Sequence, residues 1–296
     1  MKNSTVDSQI ATIAQARLDR RKFFRQAGFF GLGAAASSAL LSGTSAKAQQ
    51  NASQSMDTTA EMFTAFLIAE DLATTFYYNG LIGAVVQDPN LAGPGGNVRH
   101  PSASGNAGNV DYLGAAIYQE SQHANFFRSK LTGSPMHPEK DPYQTFYFPT
   151  GTFDTLANFL GILDALENAF IGAYIILIQE LSYKAAQAAS GTLTGFDARF
   201  TSKQYQLLAS IAGSILGTEA EHRVLGRVIG GTDPANNFTF LQTDGLTSIY
   251  NGASSAVVAL TPFLTPSTGP GYTLSDALAG LPNVYKHTSG NPPASM

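Results

Sequence analysis

The chain contains no cysteine among its 296 residues. Disulfide bonds, thiolate metal ligands and cysteine nucleophiles are therefore excluded. Any metal ion must be held by nitrogen and oxygen donors, a set that favours iron, manganese or zinc over softer metals. A chain of this length still has ample material for a hydrophobic core, in one large or two small domains.

Charged residues are also scarce. They make up 13% of the chain, about half the usual share in a soluble domain. The formal net charge is −4, the sequence pI is about 5.7, and no run of Lys or Arg occurs beyond the N-terminal region. These values argue against a nucleic-acid partner. The low charge also favours a surface covered by partners, or a place of action outside the cytosol.

The first 48 residues have the layout of an export signal. A basic segment at Asp19–Arg25 precedes an apolar run from Ala27 to Leu41, and an A-x-A cleavage pattern follows at Ala46–Ala48. The paired arginines resemble a twin-arginine signal, whose translocon carries folded proteins. The apolar run is too short for a permanent membrane span. We therefore expect a mature chain that starts near Gln49 in the periplasm or outside the cell; the alternative is an uncleaved amphipathic anchor.

Four segments of the mature chain have the apolar periodicity of helices packed in a bundle. Thr58 and Glu61 form a capping-box pattern at the start of the first segment. Gly133 and Gly230 follow the second and fourth segments as stop signals. The predicted helices are Thr58–Val86, Val110–Leu131, Thr152–Ala189 and Ser202–Ile229.

The link between the second and third helices indicates how the bundle is connected. Residues 134–151 could span up to roughly 60 Å if extended, and a helix of about 22 residues is only about 33 Å long. The link can therefore run back along the bundle. We predict an all-α fold, a four-helix bundle over residues 49–231 with two antiparallel hairpins joined by one long crossover. Residues 232–296 are rich in Asn, Thr, Ser, Gly and Pro, which predicts an irregular extension with one helix, Leu246–Leu260.

Six residues on the apolar stripes of these helices form a metal-ligand pattern. Helices two and four each carry a Glu-x-x-His step, and helices one and three each carry one inward glutamate. The six residues are Glu70, Glu120, His123, Glu167, Glu219 and His222. Because residues three apart share a helix face, each step directs both donors at one spot. A buried carboxylate costs several kcal/mol unless it is paired or bound to a cation, and these stripes carry no basic residue. This is the ligand set of a carboxylate-bridged pair of metal ions.

Other acidic residues and histidines are predicted to lie outside this site. Glu61 is a capping residue, and Glu180 lies one position off its stripe. Glu221 should point away from His222, toward solvent or toward the outside of the ligand set. The histidines outside the helices are predicted to lie on the surface: His100, His137 and His287.

Two tyrosines and two arginines lie close to the predicted site. Tyr77 and Tyr174 share the inward stripes and follow the glutamates of helices one and three by seven residues. Either they pack in the core with a satisfied hydroxyl, or they have a redox or hydrogen-bonding role near the metals. Arg128 and Arg223 lie beside the stripes, so they can contact the ligands only from outside.

On these residues the chain resembles the ferritin-like superfamily over about residues 57–230. The second Glu-x-x-His step makes it more similar to bacterioferritin, rubrerythrin and the di-iron oxidases than to animal ferritin. The export signal, the loop rich in Gly and Asn at Pro89–Asn109 and the polar extension are similar to the exported, desiccation-related branch. The resemblance implies a ferritin-like four-helix bundle in which Glu120 and Glu219 bridge or chelate and Glu70 and Glu167 are terminal ligands.

The resemblance also implies the kind of activity. Two iron or two manganese ions would react with peroxide or oxygen, as in catalases, peroxidases and ferroxidases. The partner would then be a small-molecule oxidant, and a homo-oligomer is compatible with this function. The alternative is a non-catalytic envelope or stress-related structural protein whose bundle is stabilised by metal. Iron storage in a closed shell is disfavoured, because residues 232–296 would have to be placed on it.

Overall fold

Residues 57–234 and 260–285 are described by the computed structural model. Four long helices make up most of this part of the chain. The helices are α1 (Thr59–Ile82), α2 (Ala107–Thr132), α3 (Leu156–Ala189), α4 (Ser202–Ile229) and the shorter α5 (Leu274–Val284), and the strands are β1 (Thr145–Tyr147) and β2 (Gly271–Thr273). Single 3-10 turns lie at Val85–Gln87, Pro138–Lys140, Asp197–Arg199 and Thr261–Leu264.

Side-chain caps fix where the long helices begin. The Thr58 hydroxyl accepts from the Glu61 amide at 3.2 Å, and the Glu61 carboxylate accepts from the Thr58 amide at 2.8 Å. The predicted capping box is therefore present, and Thr201 caps α4 in the same way. α3 begins later than predicted because Thr155 is its cap, accepting from the amide of Asn158 at 3.2 Å. A capped end satisfies backbone donors that the first helical turn leaves unpaired.

Contacts between the helices define their directions. Phe63, near the start of α1, packs on Phe127, near the end of α2, with 5.6 Å between ring centroids. Gly80, near the end of α1, lies against the ring of Phe159, near the start of α3. Gly226, near the end of α4, also lies against the first turns of α3. These three helix pairs are antiparallel, so α2 and α3 run parallel. The predicted all-α bundle of two hairpins joined by one long crossover is confirmed.

The crossover and the C-terminal segment pack together on the bundle. β1, in the crossover, pairs antiparallel with β2, with Phe146 opposite Tyr272. α5 follows β2 directly and packs on α1 and α2. A Cβ at Gly114 of α2 would lie 2.9 Å from the carbonyl oxygen of Val284, so this close approach of α5 requires glycine. Neither the strand pair nor α5 is predicted from the sequence. The predicted helix at Leu246–Leu260 lies outside the described residues, apart from Leu260.

Two apolar clusters fill the bundle. Along each long helix, the residues of one cluster give way to those of the other close to the inward glutamate. One cluster includes Phe76, Ile117 and Phe159. The other includes Phe63 and Phe127. The predicted metal ligands therefore lie in a polar layer between two apolar layers, where water is excluded from both ends.

The helix α3 is long and apolar enough to cross a membrane when judged by length and composition alone. Its most apolar 18-residue window has a mean hydropathy of 1.6, and 56% of that window is buried inside the structure. The core helix of a soluble protein passes the same test. These two properties therefore do not assign a membrane span to α3.

Candidate metal centre

The structure brings the six predicted ligand residues together in the middle of the bundle. They form two groups of four residues, and within each group the donor atoms lie within 4.8 Å of one another. One group is Glu70, Glu120, His123 and Glu219, and the other is Glu120, Glu167, Glu219 and His222. Glu120 and Glu219 belong to both groups. The two candidate ion positions are therefore adjacent and share two carboxylates.

The antiparallel packing of α2 and α4 explains how the donors meet. Within each Glu-x-x-His step, the histidine Nδ1 lies 3.6 Å from a carboxylate oxygen of its own glutamate. Each histidine also reaches the glutamate of the opposite step. His123 Nδ1 is 3.2 Å from Glu219 Oε1, and His222 Nδ1 is 2.9 Å from Glu120 Oε1. One turn of each helix thus supplies donors to both positions.

Burial leaves these donors without alternative partners. Five of the six residues are at most 1% exposed, and the side chain of His123 is 13% exposed. Each of the six has at least one buried donor atom with no hydrogen-bond partner among the described residues outside the ligand set. These atoms are Glu70 Oε2, Glu120 Oε1 and Oε2, His123 Nδ1, Glu167 Oε2, Glu219 Oε1 and Oε2, and His222 Nδ1. Buried polar atoms are normally paired, so this many in one place indicates a binding site.

Two tyrosines hold the glutamates of α1 and α3. The Tyr77 hydroxyl donates to Glu167 Oε1 at 2.7 Å, and the Tyr174 hydroxyl donates to Glu70 Oε1. Both tyrosines are buried with their hydroxyls paired, which agrees with core packing and with a hydrogen-bonding role beside the predicted ligands alike. Burial raises the pKa values of Glu70 and Glu167 well above the ordinary value, and the charge of Glu219 raises them further. One oxygen of each of these two glutamates is held by tyrosine, and the other is buried with no hydrogen-bond partner among the described residues.

The two histidines experience a strongly negative environment. Burial lowers their pKa values, but the charge of Glu70 on His123 and the charge of Glu120 on His222 outweigh burial and raise both. Burial also raises the pKa of Glu120, but His222 and His123 outweigh this effect and hold the pKa of Glu120 below its ordinary range. The site as a whole favours positive charge.

Arg128 is buried, and it pairs with residues other than the ligands. Its guanidinium donates to Asp141 Oδ2 at 2.7 Å, to Asn125 Oδ1 at 2.6 Å and to Asp71 Oδ1 at 3.0 Å. Asp71 follows Glu70 directly in α1. Arg128 therefore ties the crossover and α2 to the turn that carries Glu70, without touching a ligand carboxylate.

Near Glu167, two arginines of α4 make comparable contacts with polar residues of α3. Arg223 donates to Asn168 Oδ1 at 2.8 Å, and Asn168 follows Glu167 directly. Arg227 donates to Asp164 Oδ1 at 2.6 Å. Asn168, Asp164 and Arg227 were not among the candidates from the sequence, since a polar residue beside a ligand gives no periodic pattern of its own.

Four helical or loop residues predicted to lie outside the site are described by the structure away from it, and Glu180 is also outside it. Glu61 caps α1, and Glu221 is exposed on α4. Glu180 is buried but belongs to neither group of donor atoms. His100 and His137 are exposed. His287 lies outside the described residues.

The donor set fits a pair of divalent cations. It offers only oxygen and nitrogen atoms, it has four carboxylates, and two of these carboxylates are shared between the positions. Two ions of charge +2 would balance four carboxylates while both histidines remain neutral. The donor atoms that lack partners are the atoms that such ions would take.

A family model described as a ferritin-like domain matches residues 57–208, about half of the chain. The protein therefore belongs to the ferritin-like domain family. The match spans α1 to α3 and the first turns of α4. It ends before Glu219 and His222, so their membership of the site rests on their geometry. Searches of curated proteins and of solved structures gave no significant match.

Proposed function

We propose that this protein carries a dinuclear iron or manganese centre and uses it to react with peroxide or oxygen. The observation that carries the proposal is the pair of four-donor groups that share Glu120 and Glu219. Bound iron or manganese would supply the redox chemistry, because both metals change oxidation state and accept oxygen and nitrogen ligands.

The surroundings of each glutamate support distinct roles. Both oxygens of Glu120 and of Glu219 lack hydrogen-bond partners among the described residues outside the ligand set, which suits a carboxylate shared by two ions. Glu70 and Glu167 each have one oxygen held by a tyrosine hydroxyl, which suits a terminal ligand that offers its other oxygen. The tyrosines keep these carboxylates oriented without adding charge.

The side of the site near His123 is the proposed approach for a small oxidant. His123 is the one ligand with a side chain as much as 13% exposed, whereas the side chain of His222 is 0% exposed. The apolar clusters close the other directions along the bundle. A dry site strengthens the electrostatic interactions within it and admits only small molecules.

The near-complete burial of five ligands also favours a second candidate function. A site with so little access could bind metal solely to stabilise the bundle, because metal binding to a folded site contributes to folding free energy. In that case the protein would be a non-catalytic envelope or stress-related structural protein. Turnover is the property that separates the two functions.

The test uses the full chain loaded with Mn(II), or with Fe(II) in the absence of oxygen. The catalytic proposal predicts consumption of hydrogen peroxide or uptake of oxygen by the wild type. Glu120→Gln and Glu219→Gln should abolish this turnover, because each removes a shared negative ligand. The control Glu221→Gln makes the same change at an exposed position of α4 and should retain it. A wild type that binds metal and melts higher with metal, yet turns over neither oxidant, would establish the structural function instead.

We also propose that the protein is exported to the periplasm or beyond through a twin-arginine route. The support is the order of basic, apolar and small residues in the first 48 positions. Export in the folded state would allow metal to be loaded before the protein leaves the cytoplasm.

A further inference from the structure

The two histidines of the site differ in their contacts outside the ligand set. The Nδ1 atom of each faces the carboxylates. On the opposite side of the ring, His222 Nε2 lies 2.8 Å from Gln119 Oε1. The side chain of His222 is fully buried, whereas that of His123 is 13% exposed. The environment of the centre is therefore asymmetric, although its six ligands are arranged symmetrically.

One pair of equivalent positions on α2 and α4 differs in the same sense as the two histidines. Gln119 directly precedes Glu120 on α2, and the antiparallel packing brings it to His222 on α4. The corresponding position on α4 is Thr218, which directly precedes Glu219. The Thr218 hydroxyl bonds to the carbonyl of Ser214 in its own helix at 3.5 Å. Threonine is also too short to offer His123 the contact that Gln119 offers His222.

The bond to Gln119 selects one tautomer of His222. An amide Oε1 can only accept, so the imidazole must donate from Nε2. In the neutral ring Nδ1 then carries the lone pair, on the side where a metal ion would lie between the imidazole and the carboxylates; Glu120 Oε1 is 2.9 Å from Nδ1. The ring of Tyr77 lies edge-on to the imidazole at 5.8 Å between centroids and limits its rotation. Such outer contacts orient a ligating histidine and raise its affinity for metal.

We infer that Gln119 is a positioning residue that holds His222 ready to bind metal, and that the two ion positions are consequently unequal. The position at Glu167 and His222 binds its metal ion more tightly. The position at Glu70 and His123 binds its ion more weakly and exchanges it faster. This inference rests on the proposed dinuclear centre. It assigns a role to a residue outside the ligand set.

Calorimetric titration of the full metal-free chain with Mn(II) tests this inference. The wild type should bind two ions in two resolved steps. Gln119→Ala should weaken the tighter step by about 10- to 100-fold, the usual cost of losing such an outer contact, and should leave the weaker step within about 3-fold. Gln119→Glu keeps an acceptor for Nε2 and should retain the tight step. The control Gln122→Ala changes an exposed glutamine of the same helix and should alter neither step.

A second variant and a second readout keep the test decisive. Gln119→Leu preserves side-chain volume without an acceptor, so it should behave as Gln119→Ala even if the alanine variant folds poorly. Titration with Co(II) should show an altered visible absorption spectrum for only one of the two ions in the leucine variant. Equal weakening of both steps, or no weakening, would overturn the inference while leaving the proposed centre intact. A wild type that binds no Mn(II) would overturn both.

Discussion

At the scale of single residues, four of the predicted ligands are buried glutamates. Glu70 is 1% exposed, and Glu120, Glu167 and Glu219 are 0% exposed. An ionised carboxylate in such surroundings costs several kcal/mol unless a cation compensates it. Two histidines can compensate part of this charge, and a pair of divalent cations can compensate all of it. The stability of the bundle should therefore depend on whether metal is bound.

Glu167→Gln should have opposite effects with and without metal. The amide oxygen of glutamine can still accept the hydrogen bond from Tyr77, so mainly the charge is lost. Without metal the variant should be more stable at neutral pH by roughly 1 to 3 kcal/mol, the cost typical of an uncompensated buried polar group. With Mn(II) the order should reverse, because a negative ligand is missing. Thermal unfolding in chelator and in Mn(II) measures both effects.

The pH dependence of the same variant follows from the raised pKa of Glu167. A carboxyl group with a raised folded pKa makes the folded state bind more protons than the unfolded state. Metal-free stability should then fall as pH rises above the ordinary glutamate value of 4.5. This fall should be smaller in Glu167→Gln, and Glu221→Gln should match the wild type throughout. A metal-free Glu167→Gln less stable than the wild type at neutral pH would show that another group compensates Glu167.

The six ligand residues were predictable from the sequence because their signal is periodic. An acidic residue on an apolar stripe is conspicuous, and a histidine three residues later shares its face. The bonds of Gln119 to His222 and of Arg128 to Asp71 were not predictable. Each joins residues on different helices, and its existence depends on how those helices are rotated and aligned.

At the scale of secondary-structure elements, one carboxylate fastens the α3–α4 loop to the start of α1. Asp197 accepts from the Thr59 amide and from Lys184 Nζ, each at 2.6 Å. Burial raises the pKa of Asp197, but the bonds from Lys184 and Thr59 outweigh it and lower the pKa below the ordinary value of 3.8. The ionised form of Asp197 thus stabilises the fold.

Asp197→Asn should destabilise the bundle at neutral pH, since it leaves the buried Lys184 without its counter-ion. A folded pKa below the unfolded one gives stability that is complete above the unfolded value and is lost as pH falls through the folded value. The difference between the wild type and the variant should therefore shrink as pH falls below about 4. Urea unfolding of both proteins across this range measures it. A stability difference that stays constant with pH would show that Asp197 acts without its charge. The control Asp111→Asn makes the same change at an exposed site and should have little effect on stability.

The long helices were predictable, and the smaller elements were not. α4 was predicted with its observed ends, Ser202–Ile229, because a capping box and a glycine mark them. β1 and β2 have three residues each, too few to show an alternating pattern. Their pairing joins residues far apart in the chain. α5 contains Pro282 and follows β2 without a loop, so the sequence resembles irregular chain.

At the scale of the whole molecule, the crossover and the C-terminal segment form a second layer on the bundle. The β1–β2 pair and α5 fasten residues 260–285 to the crossover and to α1 and α2. Phe146, Phe263 and Val284 belong to the apolar cluster that includes Phe76, Ile117 and Phe159 of the long helices. The crossover and the C-terminal segment therefore cover one side of the bundle, and all six predicted ligands come from the four long helices.

Export is the prediction that concerns the chain as a whole. Replacing both Arg20 and Arg21 by lysine keeps the positive charge and removes the paired arginines that the twin-arginine route requires. The precursor should then accumulate in the cytoplasm, and the wild type should be processed near Gln49. Cell fractionation with N-terminal sequencing measures both results. Normal export of the double variant would replace the twin-arginine assignment with a general secretory route.

The metal content of the native protein tests the central claim most directly. Elemental analysis of the native protein, purified from its own cells without chelator or added metal, gives the identity and number of ions per chain. The two four-donor groups predict close to two ions of iron or manganese per chain, and close to none in a variant that combines Glu120→Gln with Glu219→Gln. A native protein with the full helical content and no bound transition metal would contradict the claim.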